Sequence, residues 1–295
     1  MNAPTLAELA DALVGGILIG GLFAITALGL SLVFGVMRLI NLVHGELIVG
    51  GAYVALEVSR HSSLDPLLLM PIAALAIAVV AMPVYRIALA PLAGQGAEPA
   101  LLTTFGLSII AQNLFVLVFS GDSQSLHASY TTDSFDVLGI TVQTVYLIAF
   151  GVALVLCGAV HLLLSRTAVG RRIRAASEDS EAAAVMGVDV TRIHTIVFGI
   201  AAACAAIGGV LVGVTVSFTP STGLSYLLTG LVVVVLGGLG SVKGTLLGAL
   251  LLGAIESVGA SFFGDGYRDF IGFVAFLVVL SVRPQGLFGR AEARA

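Results

Sequence analysis

IHTIVFGIAAACAAIGGVLVGVTVS, residues 193–217, contains no Asp, Glu, Lys or Arg. A helix rises about 1.5 Å per residue, so about 20 apolar residues cross a hydrocarbon core of about 30 Å. This stretch is long enough to do so. Applied outward, the same ruler predicts spans at 12–36, 41–59, 66–85, 100–120 and 143–165 before it, and at 223–239, 244–263 and 269–283 after it. Two of these are weak. Residues 41–59 include His44, Glu46 and Glu57, and 223–239 is short, so either is a candidate for a broken or partly inserted helix. The fold class expected is all-α: a polytopic transmembrane helix bundle of about 8–10 helices, with residues 1–295 forming a single transmembrane domain.

Composition agrees. Hydrophobic residues make up 58% of the chain and charged residues 10%, against about 25% charged in a soluble domain. Mean hydropathy is +1.11. The net charge of -4 is thinly spread and offers no basic field, so no nucleic-acid partner is expected. Cys157 and Cys204 sit inside apolar runs without metal-ligand spacing and read as small packing residues. The opening residues MNAPTLAELAD lack the Lys or Arg of a signal-peptide n-region, so the N-terminus is expected to be retained.

Orientation follows from Lys and Arg, which cytoplasmic loops retain. With about nine spans and the N-terminus outside, the inner side receives Arg38, Arg86, Arg166, Arg171, Arg172, Arg174, Arg192, Lys243, Arg283, Arg290 and Arg294. Only Arg60 and Arg268 fall outside. The C-terminus is then cytoplasmic. Residues 121–142, free of Lys and Arg, form the largest outer loop; their Thr, Val and Ile content and Gly139 support a short hairpin over the outer mouth, and a plain connecting loop stays equally open.

Small residues mark helix contacts in lipid. Gly16 and Gly20, Gly209 and Gly213, and Gly240, Gly244 and Gly248 recur at four-residue spacing, which predicts close helix crossings.

The polar loop at about 166–192 breaks the apolar pattern. Ser180 suits a helix N-cap, Glu181 its positive end, Ala182 to Ala184 its body and Gly187 its termination, giving about two turns. So short a helix is marginal alone in water, and its Ala residues and Met186 would suit a partner's groove. A solvated linker between two spans accounts for the arginines equally well.

Three stretches together carry a family resemblance. Glu178, Ala182, Ala183 and Gly187 have nearly the spacing of the coupling segment of ABC import permeases. GLSLVFGVMRLINLVHGELIVGGAY at 29–53 and VVLGGLGSVKGTLLGALLLGAIE at 234–256, followed by RPQGLFG at 283–289, agree with it. In that order they resemble the LivH-type permease of the branched-chain amino-acid ABC importer family over nearly the whole chain. The resemblance implies a type II importer-like bundle in a bacterial inner membrane. It also implies a second, LivM-like permease subunit, two ABC ATPase subunits and an extracytoplasmic substrate-binding protein as partners. Substrates of such permeases are branched-chain or other small amino acids, urea or amides, and small carboxylates.

Energy must come from elsewhere. No phosphate-binding loop of the form Gly-x-x-x-x-Gly-Lys-Ser/Thr occurs; GGLGSVKGT comes nearest, with Val242 before Lys243 where Gly is required. The chain is therefore expected to bind no cofactor, with ATP used by partner subunits. Ionisable and amide groups inside spans are costly and mark either a route or a packing contact. Asn41, His44, Glu46, Gln112, Asn113 and Glu256 are the candidates for the translocation pathway. His161 and His194, near span ends, read as interfacial. A secondary transporter or channel with its own ion coupling is the main alternative, and it would need an ion or proton relay near the midplane, usually at broken helices in internally repeated halves, for which Glu256 alone is thin. A membrane enzyme ranks last, because no nucleophile-base set or metal-ligand motif appears.

Overall fold

A computed structural model describes residues 4–62, 64–137, 140–283 and 286–288. In chain order its elements are α1 (Leu6–Met37), α2 (His44–His61), α3 (Pro66–Val84), α4 (Ala97–Phe119), the strands β1 (Ser134–Val137) and β2 (Ile140–Gln143), α5 (Thr144–Arg166), α6 (Ala168–Glu178), α7 (Ser180–Val185), α8 (Val190–Thr215), α9 (Thr222–Gly237), α10 (Val242–Phe263) and α11 (Arg268–Val282). Among the described residues six helices are long and apolar enough to cross a membrane: α1, α3 with its continuation to Leu92, α4, α5, α8 and α10. The shorter α2, α9 and α11 fill the remaining predicted positions. The chain is a multi-pass helical membrane protein.

The bundle has two ends. At one lie the hairpin and the start of α1, joined where the Thr141 backbone N–H donates to the Asp11 carboxylate at 2.8 Å. At the other lie α6 and α7. The predicted hairpin is real: β1 and β2 pair antiparallel, with Ser134 opposite Gln143 and Phe135 opposite Val142. The proposed turn residue Gly139 lies outside the described residues. So do Pro284, Gln285, Gly289, Arg290 and Arg294, whereas the Leu287 N–H reaches back to the Leu236 carbonyl at 2.8 Å.

Helices α1 and α8 form the centre. In each, 78% of the most apolar stretch is buried, against 6% in α4 at the rim. α1 packs most extensively against α10, and α8 against α3. The α1–α10 crossing, and that of α8 with α2, depend on missing side chains, as the glycine spacing predicted. A Cβ on Gly20 would lie 2.7 Å from the Ala249 carbonyl oxygen of α10, and one on Gly209 of α8 would fall on the Ile48 carbonyl of α2. Two of the glycines act otherwise. Gly240 is in the turn between α9 and α10 with φ +78°, facing Gly35, and Gly213 faces the Leu126 and Phe218 side chains. Cys157 and Cys204 are buried free thiols, as expected of packing residues.

The packing is self-similar. α1–α2–α3–α4 and α8–α9–α10–α11 repeat one order: a long central helix, a short one, then two peripheral ones. α1 lies on α10 and α9 as α8 lies on α3 and α2. Because α1 starts at the hairpin end and α8 at the α7 end, the two units run in opposite directions. This is an inverted-topology repeat.

The hairpin end is tied down by a few polar links. Gln124 and Phe218 exchange two backbone hydrogen bonds of 2.8 Å. The Tyr130 hydroxyl donates to the Asp65 carboxylate at 2.9 Å, while Asp65 caps α3 through the Leu67 N–H. Burial, reinforced by that carboxylate, holds the Tyr130 phenol above its ordinary pKa. Tyr130→Phe is expected to cost about 1–2 kcal/mol, read as a lower melting temperature in detergent with uptake retained.

Candidate functional site

The short helices α2 and α9 begin inside the bundle. The His44 ring nitrogen Nε2 lies 2.8 Å from the Thr26 carbonyl oxygen. Thr26 stands about three turns, or about 16 Å, before the end of α1. After α1 stops at Arg38, which has φ 52°, residues 39–43 therefore turn back into the bundle before α2 starts. Glu46 in its first turn accepts from the Ser108 hydroxyl at 3.2 Å, halfway along α4. From there α2 runs to the hairpin end, where Tyr53 stacks on Phe119 with ring centroids 4.2 Å apart and meets Phe218 edge-on.

α9 mirrors this arrangement from the other end. Residues 216–221 lead from the end of α8 back into the bundle, and α9 opens with Gly223 against Gly45 of α2. A Cβ on Gly223 would lie 2.8 Å from the Gly45 carbonyl carbon. The first turns of two half-helices thus meet backbone to backbone, with their positive dipole ends converging.

Three of the sequence-predicted site residues gather at this junction. Asn41, where the predicted span began, is fully buried in the returning loop three residues before α2 starts, and neither of its side-chain polar atoms has a partner among the described residues. His44 is fully buried with Nδ1 unpartnered, and Glu46 is buried with Oε2 unpartnered. Buried groups of this kind are uncommon and expensive. The other three lie elsewhere. Asn113 is exposed on α4 and donates to the Ile109 carbonyl at 2.8 Å; Gln112 beside it is half-buried. Glu256 is buried in α10, its carboxylate against the backbone of Gly272 in α11.

The polar loop contains two helices where one was expected. α6 was missed: its buried Gly170, Ile173 and Ala176 form a stripe that packs beside Val36, Ile193 and Val197, and Arg171, Arg172 and Arg174 point to solvent. The Arg174 guanidinium donates to the Leu164 carbonyl. In α7, Asp179 is the N-cap and Ser180 is the first helical residue. The Asp179 carboxylate accepts from Glu181 N–H at 3.0 Å and Ala182 N–H at 2.9 Å. A carboxylate that takes two orphan donors at the positive helix end outcompetes the hydroxyl one position later. Gly187 ends the turn with φ +83°, as predicted.

The outward surface of α7 also differs from expectation. Ala183 is 6% exposed and turned onto its own chain. The apolar groups facing water are Val185 at 87% exposure and Met186 at 83%. Glu178, Glu181 and Ala182 surround them, exposed. Val185 was missed, since helix-former content alone does not say which face turns outward.

Residues 12–280 match the family described as branched-chain amino acid transport system / permease component. The chain belongs to this family. The permease is 32% identical to the high-affinity branched-chain amino acid transport system permease protein BraD of Pseudomonas aeruginosa, over 95% of both chains. It is 28% identical to LivH of Salmonella typhimurium over 94% of both. It is also 28% identical to a probable LivH of Methanocaldococcus jannaschii, over 93% of this chain and 91% of the relative. These relatives are transport subunits, and the permease is accordingly the membrane-spanning translocation subunit of an importer, not an enzyme.

Proposed function

We propose that the permease carries branched-chain or other small amino acids inward, driven by two separate ATPase subunits that dock on α7. A second, LivM-like permease would complete the pathway and an extracytoplasmic binding protein would deliver substrate. The relatives' names support the substrate class. Val185 and Met186 carry the docking assignment: two large apolar side chains stand in water on a capped helix of six residues, with no cover from their own chain. Glu178, Ser180, Glu181, Ala182 and Gly187 shape and border that surface, while Ala183 seats it. Arg38, Arg86, Arg166, Arg171, Arg172, Arg174, Arg192 and Lys243 lie at the α7 end, which supports a cytoplasmic α7 in a bacterial inner membrane, an outer N-terminus and a cytoplasmic C-terminus. The α2–α9 junction with Asn41, His44 and Glu46 is the part of the permease placed to change shape during translocation. Gln112, Asn113 and Glu256 lie apart from this junction, and a place for them on the route rests on the sequence pattern alone.

A secondary transporter has one observation in its favour, the half-helices in inverted units. Uptake experiments separate the two. Cells expressing the permease with its partner subunits should take up labelled leucine in a way that stops when cellular ATP is depleted at constant membrane potential, and that survives a protonophore while ATP is maintained. Uptake that tracks the proton gradient and ignores ATP would reject the ATPase-driven reading. Topology has its own check. Cysteines at Ser129 and Glu181 should react with an impermeant thiol reagent from opposite sides of intact membranes, Ser129 from outside. Reaction of both from one side would reject the orientation.

A further inference from the structure

Beside α9, in the half of the bundle nearer the hairpin end, a cleft of about 100 Å³ opens between α9, α10 and α11. It is lined by Glu256 of α10, Asp269 of α11 and the hydroxyl-bearing Ser225 and Thr229 of α9, together with apolar groups that include Leu228 and Phe273. A single water needs about 10–15 Å³ on this measure, so the cleft takes several waters or the polar end of a small molecule.

Glu256 is the informative group. It is 6% exposed, lines the cleft and makes no hydrogen bond among the described residues. The charges nearest it are Asp269, of like sign, and Arg268, which is already paired with Asp265 at 3.1 Å. Glu256 is thus a buried carboxylate that lines the cleft without a hydrogen bond of its own, beside the exposed Asp269. Such a carboxylate is costly within a membrane protein unless something positive meets it. No group of three His, Cys, Asp or Glu that could hold a metal ion occurs among the described residues, so a transition-metal site does not fit.

We infer that the Glu256–Asp269 cleft binds the primary ammonium group of a small apolar amine, and that the transported amino acid presents it. The three ammonium protons would find acceptors among the carboxylates of Glu256 and Asp269 and the hydroxyl oxygens of Ser225 and Thr229. Leu228 and Phe273 then lie where an aliphatic side chain would follow. The inference rests on the amino-acid importer reading but not on ATPase coupling. An ethanolamine lipid headgroup carries the same chemistry and is the other possible source.

A cysteine at Leu228, in the lining of the cleft, reports occupancy in the assembled complex in phosphatidylcholine nanodiscs. Leucine and isoamylammonium should slow its alkylation, and 2-hydroxyisocaproate, which lacks the ammonium, should not. With Glu256→Gln the amine concentration giving half-protection should rise about tenfold, the scale of one lost charge-assisted hydrogen bond. Thr229→Val should weaken protection less. An unchanged rate without ligand shows that each variant keeps the cleft. Since no ATP hydrolysis is read, a failure of the coupling assignment leaves this result intact. Equal protection by the hydroxy acid, or protection indifferent to Glu256→Gln in an intact cleft, would overturn the inference. Alkylation already slow in phosphatidylethanolamine nanodiscs and unaffected by amines would overturn the substrate as occupant in favour of the lipid.

Discussion

Val185→Asp combined with Met186→Asp is expected to leave the permease folded and inserted, yet to remove its ATPases and nearly all uptake. Both side chains stand in water and touch little of their own chain, so the bundle loses almost nothing when they change. A partner groove that buries them loses about 1.5–3 kcal/mol for each, before the cost of burying a new carboxylate. At about 1.4 kcal/mol per factor of ten, association should weaken by at least about 100-fold. Co-purification of the ATPases and ATP hydrolysis stimulated by loaded binding protein are the readouts. Val185→Leu with Met186→Leu should restore both. Ala183→Arg reads out differently: Ala183 faces its own chain, so the large charge should unseat α7 and lower stability as well as coupling.

Gly45→Val should be among the most damaging single changes in the bundle. Its Cβ would lie 2.7 Å from the Gly223 carbonyl carbon and closer still to the oxygen, so backbone, not a flexible side chain, must move. Overpacking a core costs about 1–3 kcal/mol even when side chains can yield. Here the junction of α2 and α9 must part, and little mature protein is expected. Gly223→Val should act alike. Gly15→Ala and Gly151→Ala are the controls, since nothing lies within 4 Å of either new Cβ and Ala favours helix by about 1 kcal/mol over Gly. Size-exclusion profiles and melting temperatures in detergent would separate the two pairs. Normal yield and uptake for Gly45→Val would show that the half-helices do not meet as described.

The spans were legible because apolar runs of about 20 residues have few other uses. The depth at which α2 and α9 begin was not. Hydropathy reports what a segment can tolerate, and residues 39–43 and 216–221 read as connections whether they stay outside or turn back. Only the tertiary contacts His44 to Thr26 and Gly45 to Gly223 reveal the return. Charge within 41–59 and the shortness of 223–239 were the available signals, and both pointed at the right helices. Asn41, His44 and Glu46 were found for the same reason: polar side chains interrupt an apolar run. That reasoning did not show that Gln112, Asn113 and Glu256 lie apart from them.

Half-helices in inverted repeats are the usual setting of a secondary transporter's ion relay, but their presence here does not by itself separate the two mechanisms. The feature meets a need common to both mechanisms, polar backbone ends inside a membrane protein where they contact one another instead of lipid. What separates the mechanisms is the source of energy, which the proposed docking assigns to the α7 end. There the sequence showed a short helix but not its outward face. The stripe Gly170, Ile173, Ala176 that seats α6 was readable at three-residue spacing, but the surrounding arginines drew it into the loop.

Docking at α7 is the central claim, and proximity tests it most directly. A cysteine at Met186 in the assembled importer, treated in native membranes with a short bifunctional thiol reagent, should crosslink to an ATPase subunit carrying a cysteine in its permease-facing groove. A cysteine at Ser129, at the hairpin end, should not. A Met186–ATPase crosslink that depends on the Asp179-capped, Gly187-terminated segment, and weakens with Gly187→Val, is the expected result. Crosslinking from Ser129 with none from Met186, in a complex that still transports, would contradict the account.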